Sequence, residues 1–211
     1  KKKKSSKYGS IGLIAVYVDI NDDNNIKTLK CMNSSFNPKN IENYKNIILN
    51  EINFYKNISR LYNYPKHIIS VDFIIKHNIL DTEYSYIFMD YYKNNLDDII
   101  VSLPIRKHEK LISNLANGLK ELKKLKIIHN DLKTANIMCD RKLNIFLIDF
   151  NCVTYNNTHS NLVEYGTEIF LSPQVILNKT NCYKLYSNDI WAFGIIVYQI
   201  ISGINCNEYI S

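Results

Sequence analysis

Apolar and polar positions follow two different rhythms along the chain. Residues 11–19, IGLIAVYVD, are β-branched and apolar and favour a strand. The polar stretch NDDNN at 21–25 turns the chain, and IKTLKCM at 26–32 can return as the partner strand. From 39 to 62 the period changes. Ile41, Ile47, Ile48, Ile52, Tyr55, Ile58 and Leu61 recur at helical spacing and predict one amphipathic helix, with Pro65 as the breaker behind it. Strands at 67–76 and 85–90 would complete a small antiparallel sheet with that helix packed on it. After residue 92 the character is mainly helical. Residues 108–126 carry Leu111, Ile112, Leu115, Leu119, Leu122 and Leu125 on one face. Short strands around a loop are expected at 127–151, and a polar loop without periodicity at 152–168. SNDIWAFGIIVYQIISG at 187–203 opens on a capping Ser or Asn and closes on Gly, as a helix does. Its apolar character all round predicts burial. The pattern is α+β, a small sheet unit followed by a helical one.

Composition adds limits. Hydrophobic residues make up 46% and charged residues 22% of 211, ordinary for a globular chain. The formal net charge is +6, but removing the four N-terminal lysines leaves about +2. That lysine run reads as a solvated tail, so neither nucleic acid nor a membrane is an expected partner. Cys31, Cys139, Cys152, Cys182 and Cys206 form no C-x-x-C pair and have no His at zinc-ligand spacing. They read as reduced thiols of an intracellular, cytoplasmic compartment. No stretch approaches 18 apolar residues.

The chemistry concentrates at 127–151, IIHNDLKTANIMCDRKLNIFLIDFN, where Asp131, Asn136 and Asp149 suggest phosphoryl transfer. HNDLKTAN resembles the protein-kinase catalytic loop H-R-D-L-x-x-x-N, and DFN at 149–151 stands where D-F-G belongs. GTEIFLSPQ at 166–174 is similar to the end of the activation segment, and DIWAFG at 189–194 to the D-x-W-x-x-G helix. Four matches in the right order mark a resemblance to the eukaryotic-type serine/threonine protein kinase family. The resemblance implies a two-lobed fold: a small lobe at 1–89, a hinge at 90–92 and part of a large lobe at 93–211. The large lobe is expected to be incomplete within this sequence.

Roles follow from that resemblance. Asp131 would be the base and Lys133 would reach the transferred phosphate, while Asn136 and Asp149 would hold Mg²⁺ beside ATP. KYGSIGLI would cover the phosphates, with Gly9 and Gly12 in the second and third Gly places, Lys7 in the first, and Ile14 over the adenine. TLKC nominates Lys30, paired with Glu51; Lys27 is its rival. Met89 would be the gatekeeper, and backbone groups of the Asp90–Tyr92 hinge would meet the adenine edge. Met138 would form the adenine floor, although core filling explains it equally well. Tyr55, Val71, His129 and Phe150 would stack as an internal column. The partners implied are ATP and a protein substrate; oligomeric state stays open.

Besides Lys7, three residues depart from the pattern. Asn130 replaces an Arg that grips a phosphorylated activation loop, so activity is expected not to need phosphates on Thr154, Thr158 or Ser160. Asn151 replaces a Gly of positive φ, which Asn tolerates. Gln174 replaces a Glu. Two alternatives remain: a catalytically weak or inactive pseudokinase used as a binding module, and a choline- or ethanolamine-kinase-like enzyme acting on a small molecule.

Overall fold

The structure, a computed structural model, describes residues 2–8 (backbone only), 12–18, 22, 25–33, 41–80, 82–155, 166–177 and 185–205. It divides into two units. The first comprises Lys1–Tyr64 and Ile69–Tyr91, the second Pro65–Ile68 and Tyr92–Ser211.

In the first unit β1 (Lys2–Tyr8), β2 (Gly12–Val18), β3 (Ile26–Asn33), β4 (Val71–Ile79) and β5 (Thr82–Asp90) form an antiparallel sheet of order β1-β2-β3-β5-β4. The lysine run is thus part of an edge strand rather than a tail; its backbone pairs with β2 from Lys2↔Val18 to Tyr8↔Leu13. A lysine-rich sequence suits an edge, where charge opposes pairing with another chain. The strand expected at 67–76 begins later, because residues 65–68 belong to the second unit.

Register decides which side chains share a face. Ile14 pairs with Lys30 and Lys30 with Ile87; Val16 pairs with Thr28 and Thr28 with Met89. Ile14, Lys30 and Met89 therefore lie on one face of the sheet, and Lys27, an odd number of residues from Lys30, on the other. The helix α1 (Ile41–Ile58) buries Ile47, Ile48, Glu51, Ile52, Phe54, Tyr55 and Ile58. It is shorter than the expected 39–62. Ile41 and Leu61 are 42% and 39% exposed at its two ends.

Behind α1, the Tyr64 hydroxyl donates to the Ile69 carbonyl at 2.7 Å. Burial, together with the charge of Asp90, pushes this phenol up to about 12. The folded chain then keeps a proton that the unfolded chain releases near pH ~10. Its contribution to stability is full below that pH and is lost as pH rises towards about 12. Urea unfolding between pH ~10 and ~12 should lose free energy faster in the wild type than in Tyr64→Phe. Parallel losses would contradict this.

In the second unit β6 (Asn94–Asn95) pairs with β8 (Ile137–Cys139), which pairs with β9 (Ile145–Leu147). The helix α2 (His108–Lys124) buries Leu111, Leu115, Gly118, Leu119 and Leu122. Residues 65–68 are anchored here. The Leu147 N–H donates to the His67 carbonyl at 2.7 Å, and the His67 N–H donates to Glu121 Oε2 at 3.0 Å. The strands β7 (Ile127–Ile128) and β10 (Thr154–Tyr155) pair antiparallel, before the short α3 (Pro173–Leu177) and the longer α4 (Tyr186–Ser202).

The helix α4 departs from its expectation in two ways. It is covered on one face only: Ala192, Ile196, Gln199 and Ile200 are buried, whereas Ile190 and Ile201 are 57% and 64% exposed. The polar residues at its start are not caps. Leu185 holds the cap position without a side-chain bond, and Asn188 instead accepts a hydrogen bond from the Ser172 hydroxyl at 2.9 Å. Gly203 ends the helix in the left-handed region, φ 68°, as its glycine predicts. Among the described residues no helix is long and apolar enough to cross a membrane.

Candidate active site

The loop after β7 is held by its backbone before any side chain acts. Asp189, fully buried in the first turn of α4, accepts the His129 N–H at Oδ2 (2.8 Å) and the Asn130 N–H at Oδ1 (3.0 Å). Burial raises the Asp189 carboxyl, and these N–H groups work against that rise. The Asp131 N–H approaches His129 Nδ1 at 3.3 Å, and Nε2 lies 3.0 Å from the Ile148 carbonyl. The first contact needs an acceptor and the second a donor, so the ring carries its proton on Nε2.

On this base the Asp131 carboxylate meets three groups. Thr167 donates to Oδ1 from its N–H and its hydroxyl, both at 3.0 Å. Lys133 Nζ lies 2.9 Å from Oδ2 and also donates to Thr167 Oγ1 at 2.8 Å. Asn136, closing a short 3₁₀ turn at Thr134–Asn136, donates from Nδ2 to the Asp131 carbonyl (2.9 Å) and to Oδ2 (3.0 Å). The five-residue interval works because that turn folds Asn136 back onto Asp131. Gly166 permits the approach of Thr167. Its φ is 125°, and a Cβ there would lie 2.5 Å from Leu171 Cδ2 and 3.0 Å from the Asn130 carbonyl.

Asp149 follows β9 in the left-handed region, φ 66°, and opens the 3₁₀ turn Phe150–Cys152. This corrects the expectation for Asn151. The positive φ falls on Asp149, and Asn151 sits buried inside the turn. Phe150 is fully buried with its ring 4.8 Å from that of His129. The donor chemistry fits Mg²⁺. Both hydrogen bonds of the Asn136 side chain leave through Nδ2, so its Oδ1 accepts none among the described residues. That oxygen and the Asp149 carboxylate are hard ligands. No group of three or more His, Cys, Asp or Glu at metal spacing occurs among the described residues. Two protein ligands suit an ion that retains water and binds phosphate oxygens.

In the first unit Lys30 Nζ lies 2.9 and 2.8 Å from Glu51 Oε1 and Oε2. Glu51 is fully buried, so this is a desolvated pair rather than a solvated helix charge. Lys27, on the opposite sheet face, bonds Asp72 at 2.9 Å and Asp90 at 2.7 Å. Ile14 and Met89 share the face of Lys30; Met89 is buried and Ile14 half-buried. The Asp90 N–H is donated to the Ser70 carbonyl. At Gly12 a Cβ would run into the Cys31 carbonyl, so the opening of β2 requires glycine. Gly9 lies outside the described residues, as do Thr158 and Ser160.

In the second unit Tyr92 stacks on Phe146 at 4.2 Å, and Phe146 pairs with Met138 across β8 and β9. Sequence reading missed Phe146; the alternation of IFL at 145–147 was its one signal. It named Asn130 as the replacement for an Arg but missed its left-handed backbone, φ 63°. Thr154, expected in a polar loop, is 2% exposed and lies in β10.

The site residues can now be set beside known proteins. Residues 7–208 match the family model described as protein kinase domain. Serine/threonine-protein kinase CST20 of Candida albicans is 26% identical over 201 residues, covering 92% of this chain and 15% of that protein. Serine/threonine-protein kinase CLA4 of the same yeast is 28% identical over 204 residues, covering 92% of this chain and 19% of its own length. RGS domain-containing serine/threonine-protein kinase A of Dictyostelium discoideum is 28% identical over 88 residues, 42% of this chain and 8% of that protein. The chain thus spans less than a fifth of the length of these relatives. Matched from Lys7 to Glu208, with the HND, DFN, GT and DIW segments in order, the chain belongs to the protein kinase domain family.

Proposed function

We propose that the chain transfers the γ-phosphate of ATP to a serine or threonine hydroxyl of a protein, with Asp131 as the base. The observation that carries this reading is the Thr167 hydroxyl 3.0 Å from Asp131 Oδ1. An aliphatic hydroxyl already donates to this carboxylate, in the way a substrate hydroxyl would before losing its proton. Lys133 supplies positive charge at the same place, 2.9 Å from Oδ2. Phosphoryl transfer has a loose transition state, so positioning and charge neutralisation carry most of the catalysis.

Each residue then has a task. Asp131 orients the attacking hydroxyl and takes its proton. Lys133 offsets charge on the transferred group. Asn136 Oδ1 and Asp149 would hold Mg²⁺, which when bound neutralises the phosphate oxygens. In the first unit, Lys30 would hold the α- and β-phosphates and Glu51 fixes its ammonium. Gly12 and Gly9 would let backbone approach the phosphates. Ile14, Met89 and Met138 would offer apolar surface to the adenine, and the Asp90 carbonyl and Tyr92 N–H would meet its edge. Asp90–Tyr92 would act as the hinge. Its own N–H being bonded to Ser70, Asp90 can contribute only its carbonyl. The serine/threonine preference is supported by the names of the relatives and by the Lys133–Thr167 bond.

Substitution of the two rival lysines tests the reading. Lys30→Met should lower phosphate transfer by at least about tenfold, and Lys27→Met by less than about threefold. Only Lys30 has a buried carboxylate partner on the face it shares with Ile14 and Met89. Steady-state transfer of label from γ-labelled ATP measures both. Equal losses, or a larger loss at Lys27, would overturn the assignment.

A further inference from the structure

We propose that Asn130 and Thr154 form a phosphate-free latch that positions Asp131, the amide of Asn130 clasping the Cys152 carbonyl and the Thr154 hydroxyl. Asn130 is thereby a positioning residue, and catalysis does not depend on a phosphate at Thr154. The inference rests on the reading of Asp131 as the base.

The Asn130 Nδ2 donates to the Cys152 carbonyl at 3.0 Å and to Thr154 Oγ1 at 2.9 Å. A carbonyl accepts only, so the orientation of the amide is fixed by Cys152. All three residues are buried: Asn130 is 8%, Cys152 6% and Thr154 2% exposed. The bonds are therefore shielded from water, where a hydrogen bond is strongest and an orphaned partner most costly.

What the latch joins gives it a catalytic consequence. Asn130 immediately precedes Asp131, and its own N–H is tied to Asp189 Oδ1. Its side chain ties the same residue to the segment that follows Asp149. That segment is in turn held to the loop's entry strand, through Thr154↔Ile128 and Tyr155↔Ile127. The peptide carrying Asp131 is thus fixed from α4 on one side and from β10 on the other. Left-handed backbone at Asn130, φ 63°, turns the amide inward, a conformation that Asn adopts more readily than most residues. A guanidinium in this place would bring a buried charge in need of an anion. The neutral amide brings no charge: its Nδ2 has the carbonyl and the hydroxyl as acceptors, while its Oδ1 is buried without a hydrogen-bond partner among the described residues. A phosphate on Thr154 would have to enter a site with almost no exposure and displace the Asn130 donor.

The test uses the full chain, with Mg²⁺-ATP and myelin basic protein as the phosphate acceptor. Asn130→Gly keeps the left-handed backbone and removes the amide. Thr154→Val keeps the shape and removes the hydroxyl, and Thr154→Ser restores it. Asn130→Gly and Thr154→Val should each lower kcat about tenfold, with KM for ATP within about twofold of the wild type. The double variant should be no more than about twofold worse than the poorer single one, because both changes break one device. Thr154→Ser should recover most of kcat, and phosphatase treatment of the wild type should leave kcat unchanged. A double loss near a hundredfold, unaffected single variants, or a tenfold drop after phosphatase would overturn the latch. Should the wild type transfer no phosphate, the reading of Asp131 fails. The latch is then judged by urea unfolding of the wild type, Asn130→Gly, Thr154→Val and the double variant. Non-additive shifts in the unfolding midpoint support it, and additive shifts refute it.

Discussion

Replacing Asp131 with asparagine should leave nucleotide binding close to that of the wild type and remove phosphate transfer. The carboxylate loses its ability to take a proton, which by itself lowers the rate about 10²–10⁴-fold. The geometry adds a second effect. Oδ2 of Asp131 now receives two donors, Lys133 Nζ at 2.9 Å and Asn136 Nδ2 at 3.0 Å. With Oδ1 kept towards Thr167, an asparagine would turn its NH₂ towards those donors. Lys133 would be displaced from the site, and the charge it offers would be misplaced as well. Isothermal titration with Mg²⁺-ATP and single-turnover transfer separate binding from chemistry. A variant that binds and still turns over at the wild-type rate would remove Asp131 from the mechanism.

Substitution at Asp189 should act on stability instead. Asp189→Leu takes away the acceptor of two buried backbone N–H groups, those of His129 and Asn130. Each orphaned group costs about 1–3 kcal/mol, so the loss should be about 2–6 kcal/mol. That is a large share of the ~5–15 kcal/mol that holds a domain together. Asp189→Asn keeps one acceptor oxygen and should fall between. Urea unfolding followed by circular dichroism measures the series. A Leu variant with the wild-type midpoint would mean that the loop finds other acceptors.

Much of this was legible in the sequence. Period-2 and period-3.6 patterns located β2, β3, α1, α2 and α4 to within a few residues. The kinase-like motifs named the carboxylates, because phosphoryl transfer needs hard oxygens at set intervals along the chain. The Lys30–Glu51 pair followed from the motif, and register explains it: Lys27 is on the wrong face. What stayed hidden depends on backbone conformation or on partners distant in sequence. Positive φ at Asp149 rather than Asn151 cannot be read from residue types alone, since both tolerate it. The burial of Thr154 depends on its pairing with Ile128, and the exposed side of α4 on what packs against it. The lysine run gave no hydrophobic signal, because the pairing of β1 with β2 uses backbone groups that every residue carries. The family match over residues 7–208 sets aside the small-molecule-kinase alternative, whose resemblance was confined to HND and IDF.

The pseudokinase alternative separates from the proposed function in one measurement. The full chain is incubated with γ-labelled ATP, Mg²⁺ and myelin basic protein, beside Asp131→Asn, and the product is hydrolysed for phosphoamino-acid analysis. The account predicts phosphoserine or phosphothreonine from the wild type, at least about a hundredfold above the variant. Wild-type and variant label at the same background level, from protein that binds Mg²⁺-ATP, would contradict it.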